Sequence, residues 1–352
     1  MIYYRESRGS TPIVNFRRYW RVMLLGGLIS IVALYVLVAN VDFNLLAAAL
    51  QEARYIFIIP SAALIVLGLF TRAVRWRVML FDALPLRRSF SILNVSYLVN
   101  AVVPFRAGEL ARAWLATRSE PPVPMFQSFS TIVVERLLDT LSVLIILALA
   151  LTAAPLPPEM RTVAAFAAPL VLAGFLFLIV LSANRARANR WAAALAARVT
   201  FLQRGHLLTW FASFLDGLRP LTMPKTLLLV LAWTAVSWIF SLASGYVLMA
   251  AFYPEPSWAA VALFTAAASF AVAVPAVPGN VGTWEASVVF ALTAMGYGQP
   301  YETALAFAVV LHALNLIVFG VLGVAGFVQE GVSLEQLSQG VRSAQQSSSP
   351  AQ

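Results

Sequence analysis

The sequence predicts an all-α, polytopic membrane helical bundle: about six full spans plus two opposed re-entrant, broken hairpins, with a plain eight-helix bundle as the alternative. Three observations lead there: an apolar composition, apolar runs of spanning length, and cations gathered into a few segments between those runs. Of the 352 residues 61% are hydrophobic and only 11% charged, and the mean hydropathy is +0.83. Soluble domains are near half apolar and a quarter charged, so ordinary soluble folds are excluded. With no Cys, disulfide scaffolds, thiol nucleophiles and Cys-bound metals are excluded as well. Only His206 and His312 offer imidazole, which argues against a His-built zinc site. No metal and no cofactor is expected.

The chain opens on a basic segment, 1 to 21, with Arg5, Arg8, Arg17, Arg18 and Arg21. Val22 to about Val41 is the first apolar run, and about 20 residues at ~1.5 Å each cross a hydrocarbon core of ~30 Å. Further runs cover roughly 55 to 70, 90 to 105, 126 to 153, 161 to 181, 226 to 252, 257 to 277, 284 to 297 and 302 to 328. Residues 22 to 328 therefore read as a single transmembrane domain. The stretch 329 to 352, rich in Ser and Gln, reads as a disordered cytoplasmic tail.

Orientation follows from the cations. Segments 1 to 21, 71 to 89, 106 to 118 and 182 to 225 hold 20 of the 24 Lys and Arg residues, and the positive-inside rule places all four in the cytoplasm. The net charge of +9 is then a matter of orientation and needs no nucleic acid to explain it. Because cytoplasmic segments flank 90 to 105 on both sides, that stretch has to enter and leave on one face. Its Asn94, Asn100 and Pro104 suit a broken element. From the other face, the pair 257 to 277 and 284 to 297 is interrupted by PAVPGNVG, Pro275 to Gly282, which makes a second re-entrant hairpin. Within 182 to 225, Trp191, Leu195, Val199 and Leu202 recur at helical spacing beside Arg187, Arg190, Arg198 and Arg204. That pattern predicts an amphipathic helix on the anionic cytoplasmic leaflet.

Charges inside the apolar runs are the functional candidates, because an Arg or Asp at a helix centre costs ~2.5 to 3.5 kcal/mol and needs a partner or a wet cavity. VVERLLD places Glu135, Arg136 and Asp139 near mid-bilayer, with Arg136 and Asp139 spaced to pair along the helix. NAVVPFRAGELARAW brings Asn100, Pro104, Arg106, Gly108, Glu109 and Arg112 to a helix break. There Glu109 is three residues from both arginines, and guanidinium forks suit a lipid phosphate. In PAVPGNVGTWEAS, Pro278, Gly279 and Gly282 break the run, the Thr283 hydroxyl is placed to cap the resumed helix, and Glu285 falls in its first turn. The two breaks share an order of Pro, Gly and Glu and enter from opposite faces, as in inverted-topology transporters. His312 and Asn315 share a face of the last run. Arg72, Arg75 and Arg77, with Trp76, read as interfacial anchors.

Taken together, TRAVRW (Thr71 to Trp76), NAVVPFRAGELAR (Asn100 to Arg112), VVERLLD (Val133 to Asp139) and VPAVPGNVGTWE (Val274 to Glu285) resemble the lysylphosphatidylglycerol synthase transmembrane-region family of flippase-like proteins. The resemblance spans about 60 to 328. It implies a multi-pass protein of the bacterial inner membrane that moves or handles a phospho- or glycolipid. After Phe327 only a short polar stretch follows, so the aminoacyl-transferase domain of the best-known member is not expected here, nor is lysyl transfer.

The leading functional expectation is translocation of an anionic or polyprenyl-phosphate lipid. Asn100, Arg106, Glu109 and Arg112 would hold the headgroup phosphate, and Glu135, Arg136, Asp139 and Glu285 would line its path. No Walker-type GxxxxGK[ST] occurs, so ATP hydrolysis is not an intrinsic drive. Two alternatives stand beside it: a membrane-embedded lipid-modifying transferase using the buried carboxylates, and an accessory subunit of a glycosyltransferase or lipid synthase docked on 182 to 225.

Overall fold

The computed structural model describes residues 16–39, 41–103, 106–153, 158–198, 207–272, 278–333, 335–337 and 339. The breaks expected at Pro104 and Pro275, Val199 and Leu202 of the amphipathic segment, His206, most of the basic N-terminus and most of the tail lie outside them. The described residues are helical throughout, with no strand. In order the helices are α1 (Phe16–Val38), α2 (Phe43–Glu52), α3 (Ile58–Met79), α4 (Leu86–Val102), α5 (Ala107–Ala116), α6 (Met125–Ala153), α7 (Pro158–Ala183) and α8 (Arg185–Arg198). They continue with α9 (Leu207–Gly217), α10 (Pro224–Phe252), α11 (Trp258–Ala271), α12 (Thr283–Ala294) and α13 (Tyr301–Glu330). The chain is an all-helical membrane bundle.

Among the described residues, three helical stretches are long and apolar enough to cross a membrane: Tyr55–Met79, Pro224–Phe252 and Tyr301–Glu330. A fourth results if Gly27–Val38 and Phe43–Glu52, bent by 85°, are taken as one. The second limb of that pair lies between the first two apolar runs read from the sequence; the Asp42 carboxylate caps it by accepting the Asn44 and Leu45 N–H groups. The 29-residue α6 has the length of a span but carries Glu135, Arg136 and Asp139. The 26-residue α7 contains Pro169.

Helices α3 and α10 run antiparallel along their whole length. Ser61 meets Ser244 at 2.9 Å near one end, Gly68 admits Phe240 in the middle, and Arg75 reaches Thr234 at 3.2 Å near the other. Here the structure corrects the sequence reading. The helix does not stop near residue 70; it continues through TRAVRWRVM, so Arg72 and Arg75 are inside it. Trp76 is fully buried and donates to the Thr131 hydroxyl. Arg77 alone behaves as a surface residue, paired with Asp82 at 3.1 Å.

Helices α4 and α5 form a hairpin. At its open end Arg88 donates to the Arg118 carbonyl at 3.0 Å, and nearer its tip Gly108 lies against Ser96 and Asn100. A Cβ at Gly108 would sit 2.1 Å from the Ser96 carbonyl oxygen, so only glycine lets the two limbs close. Helices α11 and α12 form a second hairpin. The Tyr253 hydroxyl donates to the Tyr297 carbonyl at 3.0 Å and the Tyr297 hydroxyl to the Glu255 carbonyl at 2.9 Å, closing its open end.

Helix α13, 30 residues or ~45 Å long, measures where the hairpins lie. Its C-terminal half carries the first one: Glu330 pairs with Arg88, the Gly326 carbonyl accepts from Ser91, and Phe319 meets Tyr97. Its N-terminal half carries the second one, with Phe307 against Tyr253 and His312 stacked on Trp284. The two hairpins therefore insert from opposite ends of α13, as the charge distribution predicts, and their tips meet near its middle. Arg106 donates to the Val272 carbonyl at 3.3 Å, and Gly279 approaches the Ala101 carbonyl.

On α8, Trp191 and Leu195 are both exposed, and Arg185 ties that helix to Asp216 on α9.

Candidate functional site

A cavity of about 890 Å³ opens where the hairpin tips meet. Its polar wall is assembled from several helices. Helix α3 contributes Arg72, α4 Tyr97 and Asn100, the start of α5 Arg106 and Glu109, and α6 Arg136 and Asp139. Trp238 and Ser241 come from α10, and His312 and Asn315 from α13. The second hairpin closes the cavity with Pro278, Gly279, Asn280 and Trp284. A volume of this size lies in the range of small-molecule pockets.

Each tip is held by a side chain that satisfies a helix start. Arg106 adopts the left-handed conformation (φ 52°) at the N-cap of α5, and the Asn100 carbonyl oxygen accepts the Gly108 N–H at 2.8 Å. At the second tip Gly279 and Gly282 take φ of 74° and 89°, values that L side chains rarely adopt. The cap expected from Thr283 is supplied differently. Its hydroxyl donates to the Asn280 carbonyl, and the Glu285 carboxylate accepts the Gly282 N–H at 2.7 Å. The other oxygen of Glu285 lies 2.7 Å from His312 Nδ1, beneath the Trp284 ring.

Seven charges form one alternating chain behind and along the cavity. Arg106 lies 3.8 Å from Glu109, Glu109 3.0 Å from Arg136, and Arg136 3.9 Å from Asp139. Asp139 pairs with Arg75 at 2.7 Å, Arg75 stands 3.6 Å from Glu135, and Glu135 holds Arg112 at 2.6 Å. The chain begins and ends on a cation, so each carboxylate lies between two guanidiniums. Alternation of this kind keeps the charges tolerable in an apolar surrounding, where a single one would not be.

Of the residues singled out in the sequence, Asn100, Arg106, Glu109, Arg136, Asp139, Pro278 and Gly279 line the cavity. Glu135 and Arg112 lie behind it, 1% and 3% exposed, with the Arg112 guanidinium 4.0 Å over the Trp76 ring. The expected pairing of Glu109 with Arg112 is replaced by one with Arg136, because α6 brings Glu135 to Arg112 instead. Gly108 and Gly282 are packing positions, the second against Ser30 and Leu34 of α1, and Glu285 lies under the cavity floor. Pro104 is outside the described residues. Arg75, read as an anchor, is 2% exposed at the centre of the charge chain.

Sequence reasoning missed Tyr97, Trp238 and Trp284 on the cavity wall, and gave Arg72 a different place. An arginine close to the end of an apolar run looks like a boundary; only the depth of its neighbours tells otherwise.

The family described as the lysylphosphatidylglycerol synthase TM region matches residues 23–323. No curated protein and no solved structure matches the chain. The match takes in both hairpins, the whole charge chain and most of α13, far more than half of the sequence. The chain therefore belongs to the lysylphosphatidylglycerol synthase transmembrane-region family.

Proposed function

We propose that this protein translocates a phospho- or glycolipid, of anionic or polyprenyl-phosphate type, across the bacterial cytoplasmic membrane. The observation that carries the reading is the polar cavity at the meeting point of two hairpins inserted from opposite ends of α13. A headgroup crossing a bilayer needs a polar station at mid-depth, while its hydrocarbon chains stay in lipid. Arg106, at the free end of the charge chain and 42% exposed in its side chain, is placed to meet a phosphate, with Glu109 and Asn100 fixing the helix start behind it. The basic N-terminus, the 182 to 225 segment and the polar tail are assigned to the cytoplasm in this reading. A lipid-modifying enzyme or glycosyltransferase partner would supply or consume the lipid. Without a nucleotide-binding motif, movement follows the lipid gradient or a coupled ion.

The test is transbilayer movement of tail-labelled lipids in proteoliposomes. Wild-type protein is expected to move an anionic lipid well above the rate of protein-free vesicles, and an Arg106→Ala, Glu109→Ala double variant to lose most of that excess. Equal rates in all three would sink the proposal.

A further inference from the structure

Among the described residues, Arg72 is the cation of this cavity with no carboxylate at ion-pair distance; the charge of Asp139 acts on it from beyond contact. Its guanidinium donates to the Tyr97 hydroxyl at 2.6 Å, reaches the Ser241 hydroxyl at 3.4 Å and lies 5.7 Å from the Trp238 ring centre. All three partners are uncharged, and among the described residues no carboxylate oxygen stands within 4.0 Å of it. The segments next to the tips that are not described, 104–105 and 273–277, contain no ionisable residue. Beside Arg72, Trp238 is 8% exposed and its indole N–H finds no acceptor. A cation hydrogen-bonded only to neutral groups, with Asp139 beyond contact, and an indole N–H without an acceptor thus lie side by side at a cavity inside a membrane bundle, where each would otherwise be costly.

The charge balance points the same way. The alternating chain of four arginines and three carboxylates carries one net positive charge, and Arg72 adds a second. Glu285 removes at most one of these, and none if His312 beside it is protonated. The site is cationic on either assumption.

We infer that Arg72, with Tyr97, Ser241 and Trp238, is an anion site that takes the phosphate of a lipid whose headgroup is net negative. The same site selects against a lysylated headgroup. A lysyl ester of phosphatidylglycerol carries two ammonium groups against one phosphate, so a cationic cavity repels it, whereas phosphatidylglycerol or a polyprenyl phosphate lowers the net charge of the cavity. The guanidinium fork supplies paired donors to phosphate oxygens, and the indole N–H supplies a third. The inference rests on the reading of the cavity as a headgroup station, and it names the headgroup class and a residue that holds it.

Purified full-length protein would be tested by displacement of tail-labelled phosphatidylglycerol. Unlabelled phosphatidylglycerol and polyprenyl phosphate are expected to displace the probe, and lysylated phosphatidylglycerol to need about tenfold more or beyond, the scale of one lost charge-assisted contact. Inorganic phosphate is expected to compete only weakly; competition equal to that of the lipid would assign the site to free phosphate and overturn the lipid claim. Arg72→Gln should weaken probe binding about tenfold, and Trp238→Phe, which keeps the ring and removes the donor, about threefold. Wild-type affinity in both variants overturns the site. If Arg72→Gln does not yield folded protein, the wild-type order decides, since displacement by lysylated lipid as readily as by phosphatidylglycerol overturns the charge argument. Arg72-dependent binding without any lipid movement would remove the transport reading and leave the site standing. Lipid movement with unchanged binding in Arg72→Gln would do the reverse.

Discussion

Arg112 and Glu135 meet fork to fork, at 2.6 and 3.1 Å, with both side chains 3% exposed or less and the guanidinium resting on the Trp76 ring. This pair joins the first hairpin to α6, and through Glu135 it continues into Arg75 and the cavity wall. Its place in the interior makes it a support of the site, with cavity contact left to Arg106 and Arg136.

The pair should behave as a buried ion pair. Glu135→Gln leaves Arg112 without its carboxylate in an apolar setting and is expected to destabilise by about 3 to 5 kcal/mol, and Arg112→Ala by less, because Glu135 keeps Arg75. Replacing both with methionine should cost much less than the sum of the single changes. Unfolding in detergent, read as a double-mutant cycle, checks this; additive losses would show that the two side chains do not depend on each other.

A second prediction concerns how the first hairpin closes. Gly108→Ala drives a methyl group to 2.1 Å from the Ser96 carbonyl, a backbone atom that yields only if α5 moves off α4. The expected loss is about 1 to 3 kcal/mol, as for other overpacked sites, together with reduced lipid movement because Arg106 rides on that helix start. Gly320, in the middle of α13, has open space around it, so Gly320→Ala should be neutral or slightly stabilising, by about 0.5 kcal/mol. Thermal unfolding of the two variants side by side separates close packing from a general sensitivity to alanine.

The hairpins themselves are legible in the sequence, because cation-rich segments on both sides of 90 to 105 leave few other paths. Asn100, Arg106 and Glu109 are legible for the same reason: a polar cluster at a helix break inside an apolar run is costly unless it is used. Arg75 is not. Its partners Glu135 and Asp139 lie some 60 residues away, and no local pattern in TRAVRW shows that α6 will neutralise it, so the nearby end of the apolar run makes an interface the natural reading. The Thr283 cap fails on a smaller scale: Gly282 is the N-cap, and the Glu285 carboxylate reaches back to its N–H, held there by its bond to His312. Trp238 and Trp284 carry no signal, since an aromatic residue in an apolar run is ordinary core unless a cavity opens beside it.

Topology can be read with single cysteines, on a background that contains none. Arg87 and Arg118 flank the first hairpin, Glu255 and Gln299 the second, and all four are exposed. Two re-entrant hairpins place Arg87→Cys and Arg118→Cys on one face of the membrane and Glu255→Cys and Gln299→Cys on the other. A membrane-impermeant maleimide applied to sealed right-side-out vesicles should therefore label the second pair and spare the first until the membrane is opened. Labelling of Arg87→Cys and Arg118→Cys from different faces would mean that 86 to 116 crosses the bilayer, and the opposed-hairpin arrangement would not stand.

Glu285 carries two duties that a neutral amide performs only with the other tautomer of His312. One oxygen accepts the Gly282 N–H at the start of α12, and the other accepts from His312 Nδ1 on α13, both at 2.7 Å. A glutamine has one carbonyl oxygen and one amino group, so Glu285→Gln keeps the shape but serves both partners only if His312 takes the tautomer whose Nδ1 accepts. The expected cost is about 1 to 2 kcal/mol, the difference between bonds to a charged acceptor and to a neutral one. His312→Phe removes one of the competing donors and keeps a ring against Trp284. In that background the carbonyl of the introduced amide can serve the Gly282 N–H alone, and Glu285→Gln should cost about 1 kcal/mol less than in the wild type. Unfolding of the four proteins measures the coupling. A coupling near zero would mean that His312 leans on Glu285 without fixing the second hairpin tip, and lipid movement by His312→Phe should then match the wild type.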